Sequence, residues 1–388
     1  MRDNTFLLHT KNIMTHAALV GWGKCLPPAI LTNADLATFL PTDDDWITSR
    51  TGMKERRISH VSGLTLAHVA AARALACAGM DASELDMILY GSCSFDEHVP
   101  NCASGIQAKL GAKNAASMDV NTACTSFLYG LSTANAMIKS GAAKNVLVIG
   151  VEVISQFMDW HNRNVSVLFG DGAAAFVLTA TDKEEGVIAE KLQCYADSRQ
   201  TLRVRGKGAA YINKGMEYGD TLWDFDGQEI FKKAVTGMSE ASIEVMAKAG
   251  VTMDDIDVVV PHQANLRIIE AVAKRAGAPM DKVFLTVHKY GNMSAATAPV
   301  ALVEAIEVGR VKPNGLVLIP AFGAGLTLST HLIRWGDRVT PIATSDIELP
   351  PCDQTALEMV QALIKHKEPQ GRADAVLMSA KFIEAVAD

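Results

Sequence analysis

The sequence lacks the disulfide and zinc-binding patterns that stabilise small or secreted domains with little hydrophobic core. Its seven cysteines are odd in number and include no C-x-x-C pair, which argues against a disulfide framework and a cysteine-based zinc site. We therefore expect a reducing compartment, most thiols buried as small apolar side chains, and no bound metal. At 388 residues, with 49% apolar and 20% charged residues, the chain can instead bury a large core in two or three domains.

The sequence also lacks a long apolar run, a signal peptide and an excess of positive charge. The longest apolar candidate, from Leu316 to Leu328, is interrupted by one proline and two glycines, so we expect no transmembrane span. The N-terminus has no basic start followed by an apolar run and a cleavage site, which predicts a cytoplasmic protein. The formal net charge of −7 argues against general binding to nucleic acid or to an anionic membrane.

What the sequence does contain is an alternation of short β-rich runs with longer helical runs, which favours α/β layers. The alternation runs twice, once up to Leu178 and again from about Gly186 to Trp335, and this predicts an internal duplication. The predicted strands are Ala17–Val20, Met87–Tyr90, Ser117–Val120, Val146–Val151, Ala174–Leu178, Val258–Val260, Val283–Thr286 and Leu316–Ile319. The predicted helices are Thr65–Ala78, Cys124–Lys139, Gln228–Ala249, Leu266–Arg275 and Ala295–Val308.

Two segments fall outside this alternation. The charged, turn-rich stretch bracketed by Gly206–Gly208 and Gly215–Gly219 predicts a surface excursion. Residues 337–388 form a proline-containing tail with two helical segments. In the first, Leu357, Val360, Leu363 and Ile364 share one face. That face predicts packing against the body or against a second copy of the chain, with a lid over the functional site as the alternative.

Cys124 differs from the other cysteines in its position along the chain. It follows an apolar strand and Asn121-Thr122, which favour a helix start, and apolar residues at helical spacing come after it. The first turn of a helix stabilises a thiolate, which is the form that attacks a thioester. Taken alone, a small buried cysteine at a helix start is the more common explanation.

Three further segments place polar groups where α/β proteins bind ligands. His262 follows an apolar run, and ligand crevices open at the ends of parallel strands. Asn292 precedes a predicted helix, and the glycines around Ala324 let the backbone approach a ligand. Each has an ordinary explanation as a satisfied histidine, a helix cap or a tight bend. Together with Cys124 they supply a thiol, an imidazole, a carboxamide and open N–H groups, the parts needed for acyl transfer followed by enolate chemistry.

At these residues the chain resembles the condensing enzymes of the thiolase superfamily, and among them β-ketoacyl-ACP synthase III. The resemblance covers about Ala17 to Trp335. It rests on six segments in the family's order: Asp45-Trp46-Ile47-Thr48-Ser49-Arg50-Thr51-Gly52 with Glu55-Arg56-Arg57, Asn121-Thr122-Ala123-Cys124, Phe169-Gly170-Asp171-Gly172-Ala173, Pro261-His262-Gln263-Ala264-Asn265, Tyr290-Gly291-Asn292-Met293-Ser294-Ala295-Ala296 and Ala321-Phe322-Gly323-Ala324-Gly325.

The resemblance implies an α/β thiolase fold of five layers, αβαβα, with two duplicated halves at 15–182 and 183–336 and a helical extension at 337–388. It also implies a homodimer. Cys124 would take an acyl group from acyl-CoA. A malonyl-ACP or malonyl-CoA extender would then lose CO₂ beside His262 and Asn292, and its enolate would attack the acyl-cysteine to give a 3-oxoacyl thioester. No metal or redox cofactor is implied. His262 must be neutral to donate a hydrogen bond, so we expect activity to fall at acidic pH.

The resemblance also assigns binding residues. The N–H groups of Cys124 and Ala324 would hold the first oxyanion. The CoA contacts would be Trp46, which stacks on the adenine with Arg163 on its other side, and also Arg50 and Asn265. The acyl carrier protein would dock on Arg267, Lys274 and Arg275. Without the resemblance, a half-buried tryptophan and solvated charges would explain these positions equally well.

Val99 and Phe322 are the residues that the resemblance assigns to the acyl tunnel. Val99 stands where short-chain members place a phenylalanine that closes the tunnel. Because each buried CH₂ contributes roughly 0.8 kcal/mol, a smaller side chain favours a medium-chain primer of about six to ten carbons.

Two alternative functions remain open on the sequence, and two more are disfavoured. Glu97 is a candidate base for a relative that joins two acyl-CoAs without decarboxylation. Acyl transfer to a small oxygen, nitrogen or carbon nucleophile is a second alternative. An inactive subunit that only binds a partner is disfavoured, because such subunits usually lose one of the three residues at 124, 262 and 292. A plain cysteine hydrolase fits Asn292 and the CoA-type residues less well.

Overall fold

The computed structural model describes residues 15–208 and 221–367. The strands are β1 His16–Cys25, β2 Ile30–Thr32, β3 Glu55–Arg57, β4 Met87–Gly91, β5 Ala116–Val120, β6 Asn145–Glu152, β7 Gly172–Thr181, β8 Gly186–Cys194, β9 Leu202–Arg205, β10 Leu222–Phe225, β11 Val258–Val259, β12 Leu316–Gly323 and β13 Thr327–Arg334. The helices are α1 Asn33–Ala37, α2 Asp44–Thr51, α3 Gly63–Ala78, α4 Cys102–Leu110, α5 Ser126–Lys139, α6 Arg163–Ser166, α7 Gly227–Ala249, α8 Leu266–Ala276, α9 Val287–Tyr290, α10 Thr297–Glu307 and α11 Ala356–Lys367.

Two sheets repeat the same strand order. The first runs β1-β7-β6-β4-β5, and the second runs β8-β13-β12-β11, continued by an isolated parallel bridge between Val259 and Val283. In both sheets the inner strands pair in parallel (β4 with β5 and β6, β11 with β12) and the strands towards the other edge pair antiparallel. The predicted duplication of the fold is therefore present in the sheet topology. The boundaries at 182 and 336 stay predictions.

Five layers result from the helices that cover these sheets. Helix α3 lies on the outer face of the first sheet, α5 and α10 lie between the sheets, and α7 and α8 cover the second sheet. Helix α3 approaches β1 closely because β1 carries glycine at the contact: a Cβ on Gly21 would lie 2.2 Å from the carbonyl oxygen of Ala74. The inner strand β6 is buried along its whole length, as expected for a strand covered on both faces.

The prediction of a strand over Val283–Thr286 is wrong. Only the single bridge at Val283 forms, and a short helix follows at Val287. The N–H groups of Thr286 and Val287 donate to Oε1 of the buried Gln263 rather than to a neighbouring strand. Strands β8 and β13 were missed. Polar residues break the apolar pattern of β13, although His331 in it is fully buried and bonded to Ser132.

The extension packs back on the body, as the apolar face of its first helical segment predicted. Ala356, Met359 and Val360 of α11 belong to the same buried cluster as Met158 and Trp160. Ahead of α11, Nε2 of His60 bonds to the carbonyl of Pro350 at 2.8 Å. The second predicted helical segment lies beyond residue 367, outside the described residues. No helix within 15–208 and 221–367 is long and apolar enough to cross a membrane.

Candidate active site

The structure brings the sulfur of Cys124, the imidazole of His262 and the carboxamide of Asn292 to one cavity of about 1090 Å³, here called the outer cavity. Cys124 comes from the first half of the fold, whereas His262 and Asn292 come from the second. The site therefore lies where the two halves meet, and each half positions its own residues.

Cys124 lies in a tight turn, Ala123–Thr125, between β5 and α5. The predicted helix from Cys124 begins two residues later, at Ser126. Ala123 adopts φ +51°, a left-handed conformation that costs about 1–3 kcal/mol for a residue other than glycine. The loop at the end of β12 presses against this turn, because a Cβ on Gly323 would lie only 2.9 Å from the Cys124 nitrogen. Glycine at 323 is what allows that approach.

The expectation that a helix start holds Cys124 as a thiolate is wrong for the resting site. Burial raises the pKa of the thiol to about 11 and outweighs the hydrogen bonds that favour the thiolate. Those bonds come from the hydroxyl of Ser294 and from the N–H groups of Cys124 and Ala324, while the charge of Glu152 opposes them. The two N–H groups assigned from the resemblance to the oxyanion site thus both lie against the sulfur.

His262 is 2% exposed and follows β11. Burial lowers its pKa to about 3, so the imidazole is neutral at physiological pH. Its Nδ1 is hydrogen-bonded to the hydroxyl of Thr297, which also donates to the carbonyl of Ser294 at 2.9 Å. The backbone is held by the bond from His262 N to the carbonyl of Pro320 at 2.9 Å. The imidazole therefore has one nitrogen fixed and its Nε2 available to the cavity.

Asn292 is 6% exposed, and its side chain has a defined orientation. Oδ1 accepts from the N–H of Ser294 at 2.8 Å, which directs the Nδ2 amide hydrogens away from that bond. The backbone is tied to the first half, because Asn292 N donates to the carbonyl of Leu168 at 2.8 Å. Among the described residues Nδ2 has no acceptor, so it can donate to a bound carbonyl.

A buried carboxylate beside the thiol escaped sequence reasoning. Glu152 ends β6, is fully buried, and accepts hydrogen bonds from Ser94 Oγ at 2.5 Å and from the N–H groups of Cys93 and Ala295. Burial raises its pKa, and these donors lower it. The signal was available: Glu152 follows the apolar run Val146–Val151 directly, as His262 follows its own strand.

The predicted CoA residues gather at the rim of the outer cavity, with one exception. Trp46, Arg50 and Asn265 line the cavity. The Arg50 and Arg163 guanidinium groups lie 4.6 Å and 4.3 Å from the centre of the Trp46 ring. Arg163 does not line the cavity and donates to the carbonyl of Pro41 at 2.5 Å. Asn265 caps α8 and donates to the carbonyl of Arg50 at 3.1 Å, so its amide shapes the rim.

The predicted carrier-protein residues lie on the exposed side of α8. Arg267 also lines the outer cavity, which links this surface to the cavity mouth. Lys274 is exposed, whereas Arg275 is engaged with Glu240 at 2.8 Å. A cationic surface thus borders the opening, with two of its three charges unpaired within the described part of the chain.

A second cavity of about 430 Å³, here called the inner cavity, shares Cys124, Phe169 and Leu202 with the outer one. The structure does not bring Val99 to either cavity, since its side chain is 91% exposed on the loop after β4. Phe322 lines the outer cavity rather than the inner one. Glu97 is exposed and lines neither cavity, whereas the charge of the buried Glu152 acts on the Cys124 thiol.

Comparison with known proteins gives one family. The model of the 3-oxoacyl-[acyl-carrier-protein (ACP)] synthase III family matches residues 118–197, and that of its C-terminal part matches residues 246–335. The β-ketoacyl-[acyl-carrier-protein] synthase III 2 of Vibrio cholerae is 49% identical over 351 residues, covering 90% of this chain and 97% of the relative. Because that match covers 90% of 388 residues, it extends past Trp335 into the extension.

Two shorter relatives agree with this result. The β-ketoacyl-[acyl-carrier-protein] synthase III of Roseiflexus castenholzii is 42% identical over 325 residues, covering 82% of this chain and 98% of the relative. The crystal structure of 3-oxoacyl-[acyl-carrier-protein] synthase III from Aquifex aeolicus superposes with a TM-score of 0.77 at 41% identity, covering 82% of this chain and all of that chain. The chain therefore belongs to the β-ketoacyl-[acyl-carrier-protein] synthase III family and is a condensing acyltransferase with the thiolase fold.

Proposed function

We propose that Cys124 takes an acyl group from an acyl-CoA and that this acyl-enzyme condenses with a malonyl thioester to give a 3-oxoacyl thioester. The observation that carries the proposal is the meeting of Cys124, His262 and Asn292 at one cavity, with two backbone N–H groups on the sulfur. Beyond CoA and the carrier protein, the reaction draws on no cofactor.

In the first half-reaction the sulfur of Cys124 attacks the thioester carbonyl. The C–S bond to CoA breaks, and the thiol proton leaves with the CoA sulfur. Negative charge that develops on the carbonyl oxygen is held by the N–H groups of Cys124 and Ala324; losing one such donor typically costs ~10²–10³ in rate. The raised pKa of the thiol means that the proton must be removed during the attack. Nε2 of His262 is the neutral base available at the cavity.

In the second half-reaction the malonyl carboxylate leaves as CO₂, and the electron pair moves into an enolate whose oxygen is held by Nδ2 of Asn292 and by Nε2 of His262. Nε2 of His262 can accept a proton in the first half-reaction and donate a hydrogen bond in the second, because the hydroxyl group of Thr297 can rotate. Its hydroxyl proton points either to the carbonyl of Ser294, leaving Nδ1 protonated, or to Nδ1, leaving Nε2 protonated.

The primer is a medium-length chain, by our proposal, because the inner cavity extends about 430 Å³ beyond Cys124. CoA lies along Trp46, Arg50 and Asn265. The acyl carrier protein, with its acidic surface, docks on the α8 cations Arg267 and Lys274.

We further propose that the protein is a cytoplasmic homodimer. Val99 leaves an apolar side chain 91% exposed, and such a residue is suited to burial against a second copy. Sedimentation of the purified protein at several concentrations tests the dimer, and a monomer throughout would contradict it.

Intact-protein mass after mixing with a ladder of acyl-CoAs tests the loading step. Medium chains should add their acyl mass to Cys124 faster than acetyl-CoA does, and the C124A variant should gain none. Release of labelled CO₂ from malonyl-ACP, together with 3-oxoacyl product, tests the condensation. Faster loading by acetyl-CoA would contradict the chain length, and product without CO₂ would contradict the decarboxylative route.

A further inference from the structure

Three neighbouring cavities share lining residues. The outer and inner cavities share Cys124, Phe169 and Leu202. The inner cavity in turn shares Phe95, Phe157 and Lys207 with a third cavity of about 760 Å³ beneath the extension. Residues Met359, Leu363 and His366 of α11 line this third space, here called the extension cavity. An acyl chain on Cys124 that occupies the inner cavity therefore shares that cavity with Lys207.

The inner cavity is cationic rather than neutral. Arg199, Arg203 and Lys207 line it, and no Asp or Glu does so among the described residues. Arg199 is exposed, and Arg203 is neutralised by Asp224, which accepts from its Nε at 2.9 Å and its Nη2 at 2.7 Å. Lys207 is thus the one cation of the three that is half-buried and without an acid partner in the described chain.

The Lys207 ammonium lies against an aromatic ring and has no acidic partner in the described chain. The ammonium lies 3.7 Å from the centre of the Phe157 ring, and it makes no hydrogen bond or ion pair with any described residue. Burial lowers the pKa of Lys207, while the Cys93 and Glu152 groups on the Cys124 side of the cavity raise it. A half-buried charge without a partner is unfavourable, and a carboxylate with good geometry offsets that cost. The surface excursion predicted between Gly206–Gly208 and Gly215–Gly219 lies largely outside the described residues, so it stays a prediction.

We infer that the preferred primer is a monothioester of a dicarboxylic acid, whose free carboxylate is bound by Lys207 at the far end of the inner cavity. The inference rests on the proposed function, because it concerns the acyl group that Cys124 accepts. The reacting thioester is unchanged: sulfur replaces sulfur at one end of the chain, and the carboxylate at the other end takes no part in bond making. The extension cavity is lined by polar side chains, among them His60, Gln156 and Gln354, and by Asp96, whose carboxylate accepts from the N–H groups of Gly63 and Leu64.

The test compares primers of equal length that differ only at the far end. The full chain is mixed with suberyl-CoA or octanoyl-CoA, and with adipyl-CoA or hexanoyl-CoA, and the rate of acyl mass gain on Cys124 is measured. Suberyl-CoA or adipyl-CoA should load at least about tenfold faster than its methyl-ended partner, since a charge-assisted bond in a half-buried site is worth that factor or more.

Three variants assign the preference to the ammonium. K207M should lose the preference, so that suberyl-CoA slows by about tenfold relative to octanoyl-CoA. The circular dichroism spectrum and melting temperature of K207M report whether the variant is folded. K207R should keep the preference. K233M is the matched control, because Lys233 also lies over a ring, that of Tyr195, but pairs with Asp197 and lines none of the three cavities.

Each outcome decides the matter. Faster loading by octanoyl-CoA in the unaltered protein would overturn the inference, as would a preference for suberyl-CoA that survives K207M. If no acyl-CoA of either kind adds mass to Cys124, the proposed function itself fails. If methyl-ended primers load well and dicarboxylic primers do not, the proposed function stands and only the role of Lys207 is wrong.

Discussion

Each half of the molecule places a turn with a left-handed residue before a helix, and the two turns carry different chemistry. In the first half, the turn before α5 begins with Ala123 at φ +51° and carries Cys124. In the second half, the turn before α10 begins with Ser294 at φ +46° and carries Ala295 at the matching place. The second half has therefore kept the strained turn without the thiol, and it supplies Asn292 two residues ahead of that turn.

Burial shifts the pKa values of the two reacting groups in opposite directions. The first half contributes an acid, the Cys124 thiol, and the second contributes a base, the His262 imidazole. Burial raises the pKa of Cys124 to about 11 and lowers that of His262 to about 3. Both groups are therefore neutral near pH 7, and the site avoids an ion pair that would be costly to bury. Charge on the reacting atoms therefore arises during the reaction, where the N–H groups of Cys124 and Ala324 are already in place, while Glu152 is a carboxylate buried close by.

Removing the Cys124 thiol should have the largest effect, because the first half of the fold supplies the nucleophile. C124A should abolish acyl loading, a loss of at least ~10⁴-fold, since no other group takes over the role of a missing nucleophile. Intact-protein mass with octanoyl-CoA measures it. C93A is the matched control, because Cys93 lines the same inner cavity and should not be needed for loading. An acyl adduct on C124A would show that the first half holds a different nucleophile.

Removing the amide from the second half should separate the two steps. N292A should slow condensation by ~10²–10³ because an oxyanion donor is lost, while loading of Cys124 stays within a few-fold of the parent rate. Release of labelled CO₂ measures the first quantity, and single-turnover mass gain measures the second. N164A serves as the control, since Asn164 also lines the outer cavity but faces neither reacting group in our mechanism. An equal loss of rate in loading and in condensation would show that Asn292 does not act in condensation alone.

The opposite pKa shifts predict different pH profiles for the two halves. Alkylation of Cys124 by iodoacetamide should rise about tenfold per pH unit from pH 6 to 9, because the thiolate fraction grows until the pH reaches the pKa of about 11. Decarboxylation of malonyl-CoA should not fall between pH 8 and pH 5, because His262 is protonated only near pH 3. Activity was expected to fall at acidic pH because His262 would become protonated. With a pKa of about 3, this fall should occur only near pH 3. An alkylation rate that levels off near pH 7 would contradict the raised pKa.

The smallest effect concerns the hydroxyl that orients His262. T297V keeps the shape of the side chain but removes the bond to Nδ1, so the imidazole should lose its fixed orientation and condensation should slow by about tenfold. T297S should restore most of the rate. Loading and condensation measured side by side give the result. An unchanged T297V would show that the hydroxyl is not needed to position the ring.

The sequence predicted the reacting groups better than their surroundings. Cys124 and His262 could be found because each follows an apolar strand, and strand ends are where α/β sites form. Glu152 carries the same signal but was overlooked. Thr297 and Lys207 carried no such signal, because their importance depends on contacts between distant segments. The position of Val99, outside both cavities, could not be derived from its place in a family motif.

Some elements of the fold could likewise be predicted from the sequence and others could not. The continuously apolar strands, such as β6, were correctly predicted, and so were the long helices. Strand β13 escaped because its core is built from Ser329, Thr330 and His331, which are buried through hydrogen bonds or packing rather than through apolar character. The thiolate expected at a helix start failed for a related reason: the local sequence indicates the helix, whereas the burial that raises the pKa is a property of the whole fold.

The protonated resting state of Cys124 has a consequence for covalent inhibitors. An electrophile that reacts only with a thiolate would modify Cys124 slowly, because burial raises the pKa of its thiol to about 11. Selective inactivation would instead require a warhead joined to a pantetheine-like arm, so that docking in the outer cavity delivers it to a thiol that is otherwise slow to react.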